Sequence, residues 1–412
     1  MKPNKIFKKI KNRLVDYGVH TVPFQQHYRP TGYYAKITGD KGLLSAEPAE
    51  FLEFFPAYPC DLNLQDPFYE QCIAALRPQP APLIPHSFIL SIPNGRVQQN
   101  YLGHCITVIS GQNQIVEEVS FQANGSATGV RAADMDVFKQ KFFPKPAYYK
   151  GTVFSMLAGN SCSTNYYHWL YDAVPRVYLL KKSGLFEKVD YFLMPALEKK
   201  FHRESLHLLG LEGKKIIECK NYIHLQADKL IVSSHIRHRE IVPQWACRYH
   251  REHIAEKLAP KETSRYIYIA RGDSTIRQVQ NEAKLMDLLA NLGFESVYLS
   301  KLSFTEQVKL FASAQVIVSP HGAGLANLSF CKEGTSLVEL FSEHYVRPTY
   351  QVLAVRMHLN YSYLICQSDS RQPKTLLEAN KTNITVNFEE LMKKIDPIIN
   401  SLSYQQSKVF NA

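Results

Sequence analysis

The sequence predicts an α/β protein of two Rossmann-like units, the first with an N-terminal β-rich extension. Three observations carry this. From about residue 150, short apolar runs of strand length alternate with helix-like runs, the pattern of a parallel sheet with crossover helices. The alternation breaks at the polar, proline-containing stretch 259–264 and then restarts. Near the end of the second run stands "VIVSPHGAGLANLSF", residues 316–330. It reads as a strand, a tight glycine turn and the start of a helix, an arrangement that commonly meets a phosphate.

The elements follow in order. Residues 1–14 hold six basic residues and no acid. Ile6, Phe7, Ile10 and Leu14 fall on one helical face, with Lys5, Lys8, Lys9 and Lys11 around the rest. This predicts a basic amphipathic helix within residues 1–20, suited through residues 1–18 to an anionic membrane surface. Residues 20–85 are rich in Pro, Tyr and Phe with poor periodicity, so irregular structure with short helices is expected, Phe51–Phe55 among them. Residues 86–122 alternate better. Turn signals at Pro93-Asn-Gly95 and Gly111-Gln-Asn113 predict antiparallel hairpins. Beyond these, strands are expected at 152–158, 190–194, 215–218, 229–233, 265–270, 296–299, 315–319, 335–341 and 359–366. Helices are expected at 166–182, 199–209, 244–258, 281–292, 305–314 and 322–330. Residues 21–258 then form one domain, whose Rossmann-like part begins near 150, and residues 265–370 a second. Residues 371–412 form a tail whose helix, about 388–401, packs back on the first domain. Ligand belongs outside the carboxyl ends of the strands, between the units.

The bulk numbers narrow the partners. A chain of 412 residues that is 45% hydrophobic can bury full cores. The net charge of +11 favours anionic partners, but the chain has no arginine-rich tract or zinc-finger spacing, so nucleic acid is not among them. The eight cysteines are scattered with no Cys-x-x-Cys, which predicts reduced thiols in a cytosolic protein. No signal peptide and no run of about 18 apolar residues is found. The expected place is the cytoplasm, with peripheral attachment at the inner membrane face.

The glycine turn nearly matches Gly-x-Gly-x-x-Gly, with Asn327 where the third glycine would stand. Gly322 and Gly324 let backbone N–H groups approach an anion. His321 beside them could hydrogen-bond a phosphate or a sugar, or simply neighbour a helix N-cap. Glu339 could accept ribose hydroxyls, or be an alternating polar strand residue; it lies closer to the glycines than a dinucleotide fingerprint requires. A second turn, Arg271-Gly272 with Arg277 beyond it, would clamp a diphosphate through two guanidiniums.

The helix "NYYHWLYDAVPRVYLL", residues 165–180, carries a polar line of Asn165, His168, Asp172 and Arg176. His168 and Asp172 suit a base and its orienter, with Asp172 itself as the other candidate base. The alternative pairs Asp172 with Arg176 and leaves His168 inert. Pro175 is expected to bend the helix. Asp134-Met-Asp136 follows no apolar strand and reads as a surface pair rather than a metal site. Ser161-Cys-Ser163 lacks a nucleophile elbow.

Three blocks, "NYYHWLYDAVPRVYLL", "YIYIARGDSTIRQVQNEAKLMDLLANLGFESV" and "LSFTEQVKLFASAQVIVSPHGAGLANLSFCKEGTSLVELF", resemble in order and spacing glycosyltransferase family 61, in its bacterial capsular polysaccharide form. The resemblance covers about residues 150–370. It implies a GT-B fold, with two Rossmann-like domains facing a cleft. It also implies inverting, metal-independent transfer from a nucleotide sugar, here a UDP-linked one, to a glycan or lipid-linked acceptor, with no cofactor. Carried onto this chain, Arg271, Arg277, His321, Gly322, Ala323 and Gly324 would contact the diphosphate, Asn327 would lie on the donor side, and Glu339 would reach the ribose. Asn165, His168, Asp172 and Arg176 would face the cleft from the acceptor side. Two other readings remain open: a non-catalytic nucleotide-sugar-binding component of an assembly complex, and a nucleotide-cofactor oxidoreductase.

Overall fold

The computed structural model describes residues 14–15, 17–60, 83–100, 105–123, 129–157, 159, 165–220, 222–238, 240–258, 264–369 and 373–410. Most of the basic N-terminal segment and the turn at Ser161-Cys-Ser163 lie outside these residues. The described residues fall into two compact units, one of residues up to Pro59 and from Leu83 to 238, the other of Cys60 and the residues from Glu240 onward.

The first unit is built on one mixed sheet. Its parallel part runs Ile223–Ser233, Ala147–Ser155, Tyr191–Pro195, Lys215–Cys219 across the sheet. Such strands are covered on both faces, and Val153, Phe154, Phe192 and Leu193 are fully buried. The long strand Ile223–Ser233 then pairs antiparallel with the extension. One core runs through both parts, from Leu43, Phe88 and Val97 to Val153, Leu193 and Leu230.

Two local expectations fail here. Pro93-Asn-Gly95 is not a hairpin turn. Ser87–Pro93 and Arg96–Gln99 both run antiparallel to Ile223–Ser233, so residues 94–95 are a jog in one continuous course. Asn94 takes a left-handed φ of 53°, and a Cβ on Gly95 would stand 2.8 Å from the Cβ of Leu230. Likewise Phe51–Phe55 is no helix but part of the strand Glu50–Phe55. It pairs with Ser87–Pro93 and sets Phe51 against Phe88, the rings tilted at 45° with centroids 4.9 Å apart. Tertiary pairing outweighed local preference. The hairpin at Gly111-Gln-Asn113 joins two antiparallel strands, with Asn113 at φ 64°.

The second unit holds a six-stranded sheet. Its order is Phe294–Val297, Arg265–Ile269, Ala314–Pro320, Ser336–Ser342, Asn360–Ser368, with Ile384–Thr385 antiparallel at the edge. Numbered along the chain, the five parallel strands lie 2-1-3-4-5. This doubly wound order reverses direction between its first and third strands, and the crevice there is the general ligand position. Helices Glu282–Ala290, Phe304–Ser313 and Thr349–Arg356 make crossovers. The helix Phe304–Ser313 starts with a capping box in which Ser303 and Glu306 satisfy each other's backbone donors.

The boundary of this unit lies earlier than the polar stretch 259–264. Helix Gln244–His250 and the π turn Arg251–Ala255 belong with it: Ser329 bonds His250 at 3.2 Å, and Arg251 Nη2 donates to the Met357 carbonyl at 2.7 Å. The terminal helix Phe388–Phe410 also stays here, because Leu391 and Ile395 lie in this unit's core beside Val316 and Val338. Where packing on the first domain was expected, its apolar face completes the core of the second unit's own sheet. The stretch after the glycine turn, Ala323–Phe330, is a 3₁₀ helix rather than an α-helix.

Candidate functional site

The first unit offers a histidine–carboxylate pair. Asn165 starts its helix as N-cap, its Oδ1 accepting from the Tyr167 amide at 2.9 Å. The helix widens into a π turn over Trp169–Ala173. Pro175 cannot donate to the carbonyl four residues back, and π turns arise at such breaks in the ladder. Trp169 is fully buried and donates to Ser205 Oγ at 3.0 Å, which fixes the rotation of the helix.

On the other side, His168 Nδ1 lies 2.8 Å from Asp172 Oδ2. Arg237, which follows the carboxyl end of Ile223–Ser233, reaches the same carboxylate from the opposite side: Nε is 2.5 Å from Oδ1 and Nη2 3.1 Å from Oδ2. Arg237 Nη2 also stands 3.0 Å from His168 Nδ1. A guanidinium can only donate and a carboxylate only accept. The shorter contact selects Nδ1–H donating to Asp172, which leaves Nε2 with a free lone pair. Burial pushes the Asp172 carboxyl up, but the Arg237 charge and the His168 bond outweigh it and hold it well below the usual range. Asp172 is therefore held as an anion between Arg237 and His168. His168 keeps a fifth of its side chain exposed, enough to meet a substrate.

Arg176 bonds backbone carbonyls, that of Asp172 among them. It is 2% exposed; its Nε donates to the Asp172 carbonyl at 2.9 Å and its Nη1 to the Ser233 carbonyl at 3.3 Å. It ties the helix to the sheet, and an acceptor has no access to it. Asn165 is occupied as a cap. Asp136 pairs with Lys139 at 3.1 Å, as a surface acid would. Among the described residues no group of His, Cys, Asp and Glu is placed to hold a metal ion.

The second unit brings the two predicted turns together. Arg271 follows the first strand of the doubly wound order, and Gly322 and Gly324 follow the third. All three line one cavity of about 270 Å³ with Asp273, Ser300 and Ser319. The Arg271 amide donates to Glu282 Oε1 at 2.6 Å, and Arg271 Nη2 donates to Ser274 Oγ and to the Ile276 carbonyl, each at 3.0 Å. A Cβ at position 322 would stand 2.7 Å from Arg271 Nη1, so only glycine lets the guanidinium lie across the turn. A Cβ at 324 would meet Leu299 Cδ1 at 2.5 Å. Arg277 is held at a left-handed φ of 54° while its neighbour Gln278 is clamped by Asn383 Oδ1 at 2.9 Å.

The Nε atoms of Arg271 and Arg277 are buried without a protein partner. Burial lowers the Arg271 guanidinium's affinity for its proton, and the nearby Arg277 charge adds to this. Two guanidiniums with unspent donors, close enough to repel, make a site that an anion stabilises. Ala323 and Gly324 open the 3₁₀ helix beside them.

Three predicted donor-side residues sit elsewhere. Glu339 is fully buried, and both its oxygens are engaged: His321 Nδ1 lies 2.6 Å from Oε1, and Tyr361 Oη donates to Oε2 at 2.8 Å. It cannot meet a ribose. His321 is itself buried against the rings of Phe341, Tyr345 and Tyr350. Asn327 is buried, its amide donating to Gln307 Oε1 at 3.1 Å and to the Gly324 carbonyl at 3.0 Å. It braces the turn from behind.

Sequence reading missed Arg237, Tyr361 and Asp273. The one usable signal for Arg237 was its place just beyond a strand's carboxyl end. Nothing in the sequence pairs Tyr361 with Glu339, because parallel neighbours are set by the sheet.

The second unit is thus doubly wound with Arg271 lining a cleft at its switch point, and the first unit holds a histidine oriented by a carboxylate. Residues 166–338 match the family model Glycosyltransferase 61. That stretch of the chain is similar to glycosyltransferase family 61. A β-1,2-xylosyltransferase of Arabidopsis thaliana is 28% identical over 80 residues, which is 19% of this chain and 15% of that protein. The chain thus aligns with under a sixth of that relative's length.

Proposed function

We propose that the protein is an inverting glycosyltransferase that moves a sugar from a nucleoside diphosphate donor, UDP-linked, to a hydroxyl of a glycan or lipid-linked acceptor. The observation that carries this is the cleft where Arg271, with an unspent buried donor, lies against Gly322 at the switch point of the second sheet. His168 Nε2 takes the acceptor hydroxyl's proton. The oxygen attacks the anomeric carbon as the bond from that carbon to the diphosphate breaks. The leaving diphosphate gathers negative charge, and Arg271 and Arg277 stabilise it. Attack opposite an α-linked leaving group yields a β-linkage, the kind named for the xylosyltransferase relative, so UDP-xylose belongs among the donors screened beside UDP-hexoses.

The two guanidiniums offset the charge that a divalent cation offsets in other transferases, so turnover is expected to survive EDTA. The proposed arrangement is GT-B, the two units closing on donor and acceptor. The proposed setting is bacterial surface polysaccharide assembly at the inner membrane face, with residues 1–18 on the anionic leaflet. Unchanged liposome binding after their deletion would sink that last point.

The test is thermal unfolding with UDP, GDP, CMP, TDP and NAD, run on the protein and on Arg271→Ala. A nucleotide at about 100 times its Kd adds roughly 2.7 kcal/mol. UDP should stabilise the protein and not the variant. No shift with any nucleoside diphosphate removes the reading, and a shift with NAD alone points to an oxidoreductase. UDP binding with no UDP release from any UDP-sugar would leave a binding component instead.

A further inference from the structure

We propose that Asp273, held by Ser300, is the acceptor for the ribose hydroxyls of the nucleotide. This rests on the nucleotide-donor reading above. Two other acids near the arginine turn are already engaged. Glu339, the sequence's candidate, is buried with both oxygens engaged. Glu282 is consumed as scaffold: its Oε1 accepts from the Tyr268 hydroxyl at 2.9 Å and from the Arg271 amide at 2.6 Å. Asp273 lines the cavity, and it is exposed.

Its position supports the assignment. Asp273 lies in the turn after the first parallel strand, Arg265–Ile269. Ser300 lies just after the second, Phe294–Val297, and its hydroxyl donates to Asp273 Oδ2. The pair therefore spans the carboxyl ends of strands one and two. In doubly wound folds an acid at that edge meets the ribose while the phosphates sit at the turn after strand one. Here Arg271 marks the phosphate position two residues away.

A carboxylate beside a diphosphate site repels that diphosphate unless neutral donors separate them. A vicinal diol supplies such donors, and the Ser300 hydroxyl leaves Oδ1 to accept from it. The turn is also specified by packing: a Cβ on Gly272 would lie 3.1 Å from Glu282 Oε2 and 3.2 Å from the Tyr298 hydroxyl. Asp273 is thus aimed by a glycine that holds the turn against Glu282.

The experiment is titration calorimetry on the full chain and on Asp273→Asn with UDP, 2′-deoxy-UDP and inorganic pyrophosphate. The protein should bind UDP about tenfold more tightly than 2′-deoxy-UDP, the cost of leaving a charged acceptor unpaired. In Asp273→Asn that ratio should fall to about one, with pyrophosphate affinity at least as high as before. A ratio that persists in the variant overturns the assignment, as does equal affinity of the unaltered protein for the two nucleotides. Loss of pyrophosphate binding in the variant would make Asp273 a brace for the arginine turn, which also overturns it. If the unaltered protein binds neither nucleotide nor pyrophosphate, the donor reading itself fails.

Discussion

Each unit sets a histidine against a carboxylate, but the two pairs are built for different ends. His168 and Asp172 sit one turn apart on a helix, and a third group, Arg237, holds the carboxylate from outside. The ring keeps an exposed edge. His321 follows the strand Ala314–Pro320, Glu339 lies at the middle of its parallel neighbour, and Tyr361 from a third strand holds the carboxylate. That ring is closed in by aromatic side chains. The lesson is that a histidine–carboxylate contact does not by itself mark a site. The free edge of the ring and the charge around the acid decide whether it can act on a substrate.

The largest expected effect separates the pairs by activity. His168→Ala should lower kcat by about 10²–10⁴, the usual worth of a general base, with donor affinity unchanged. Steady-state kinetics of UDP release reads both values. A variant that keeps full kcat would move the base elsewhere and end the contrast.

Glu339→Ala should act on the fold instead. It removes the acceptor that the His321 ring and the Tyr361 hydroxyl share, and breaking a buried pair costs about 3–5 kcal/mol. Urea unfolding should show that loss. If the variant is as stable as the parent yet cannot bind UDP, the glutamate has a ligand role after all.

The smallest effect concerns pH. Arg237 and His168 hold the folded-state pKa of Asp172 below its ordinary value of 3.8. Between these values the unfolded chain binds the extra proton. The stabilisation is therefore fully present above pH 3.8 and fades as the pH falls below it. Asp172→Asn should flatten the acid limb of stability below that pH. At pH 7 it should cost about 1–3 kcal/mol, because Arg237 loses its partner. Identical acid limbs for parent and variant would mean that the ion pair does not form in solution.

The parallel-sheet alternation was legible because buried strands read as apolar runs, as in Val316-Ile-Val318 and Leu337-Val338. The His168–Asp172 contact was legible because a helix places residues four apart on one face. The Arg271 and glycine turns were legible as strand ends. What was not legible has a common cause. Pro93-Asn-Gly95 carries a turn signal, yet the chain runs on along one partner strand there. Helix Gln244–His250 precedes the polar break in sequence, yet it packs on Ser329 beyond it.

The sequence by itself determined the local periodicities and the chemistry at each turn. These depend on residues a few positions apart, whose geometry the backbone dictates. Only the tertiary structure decided that Arg237 neutralises Asp172 across 65 positions, that Glu339 is sealed in the core, and that Asp273 is left open at the cleft. Contacts between distant residues depend on which strands become neighbours, and burial depends on what then covers them. Neither quantity is encoded in the spacing of any short stretch.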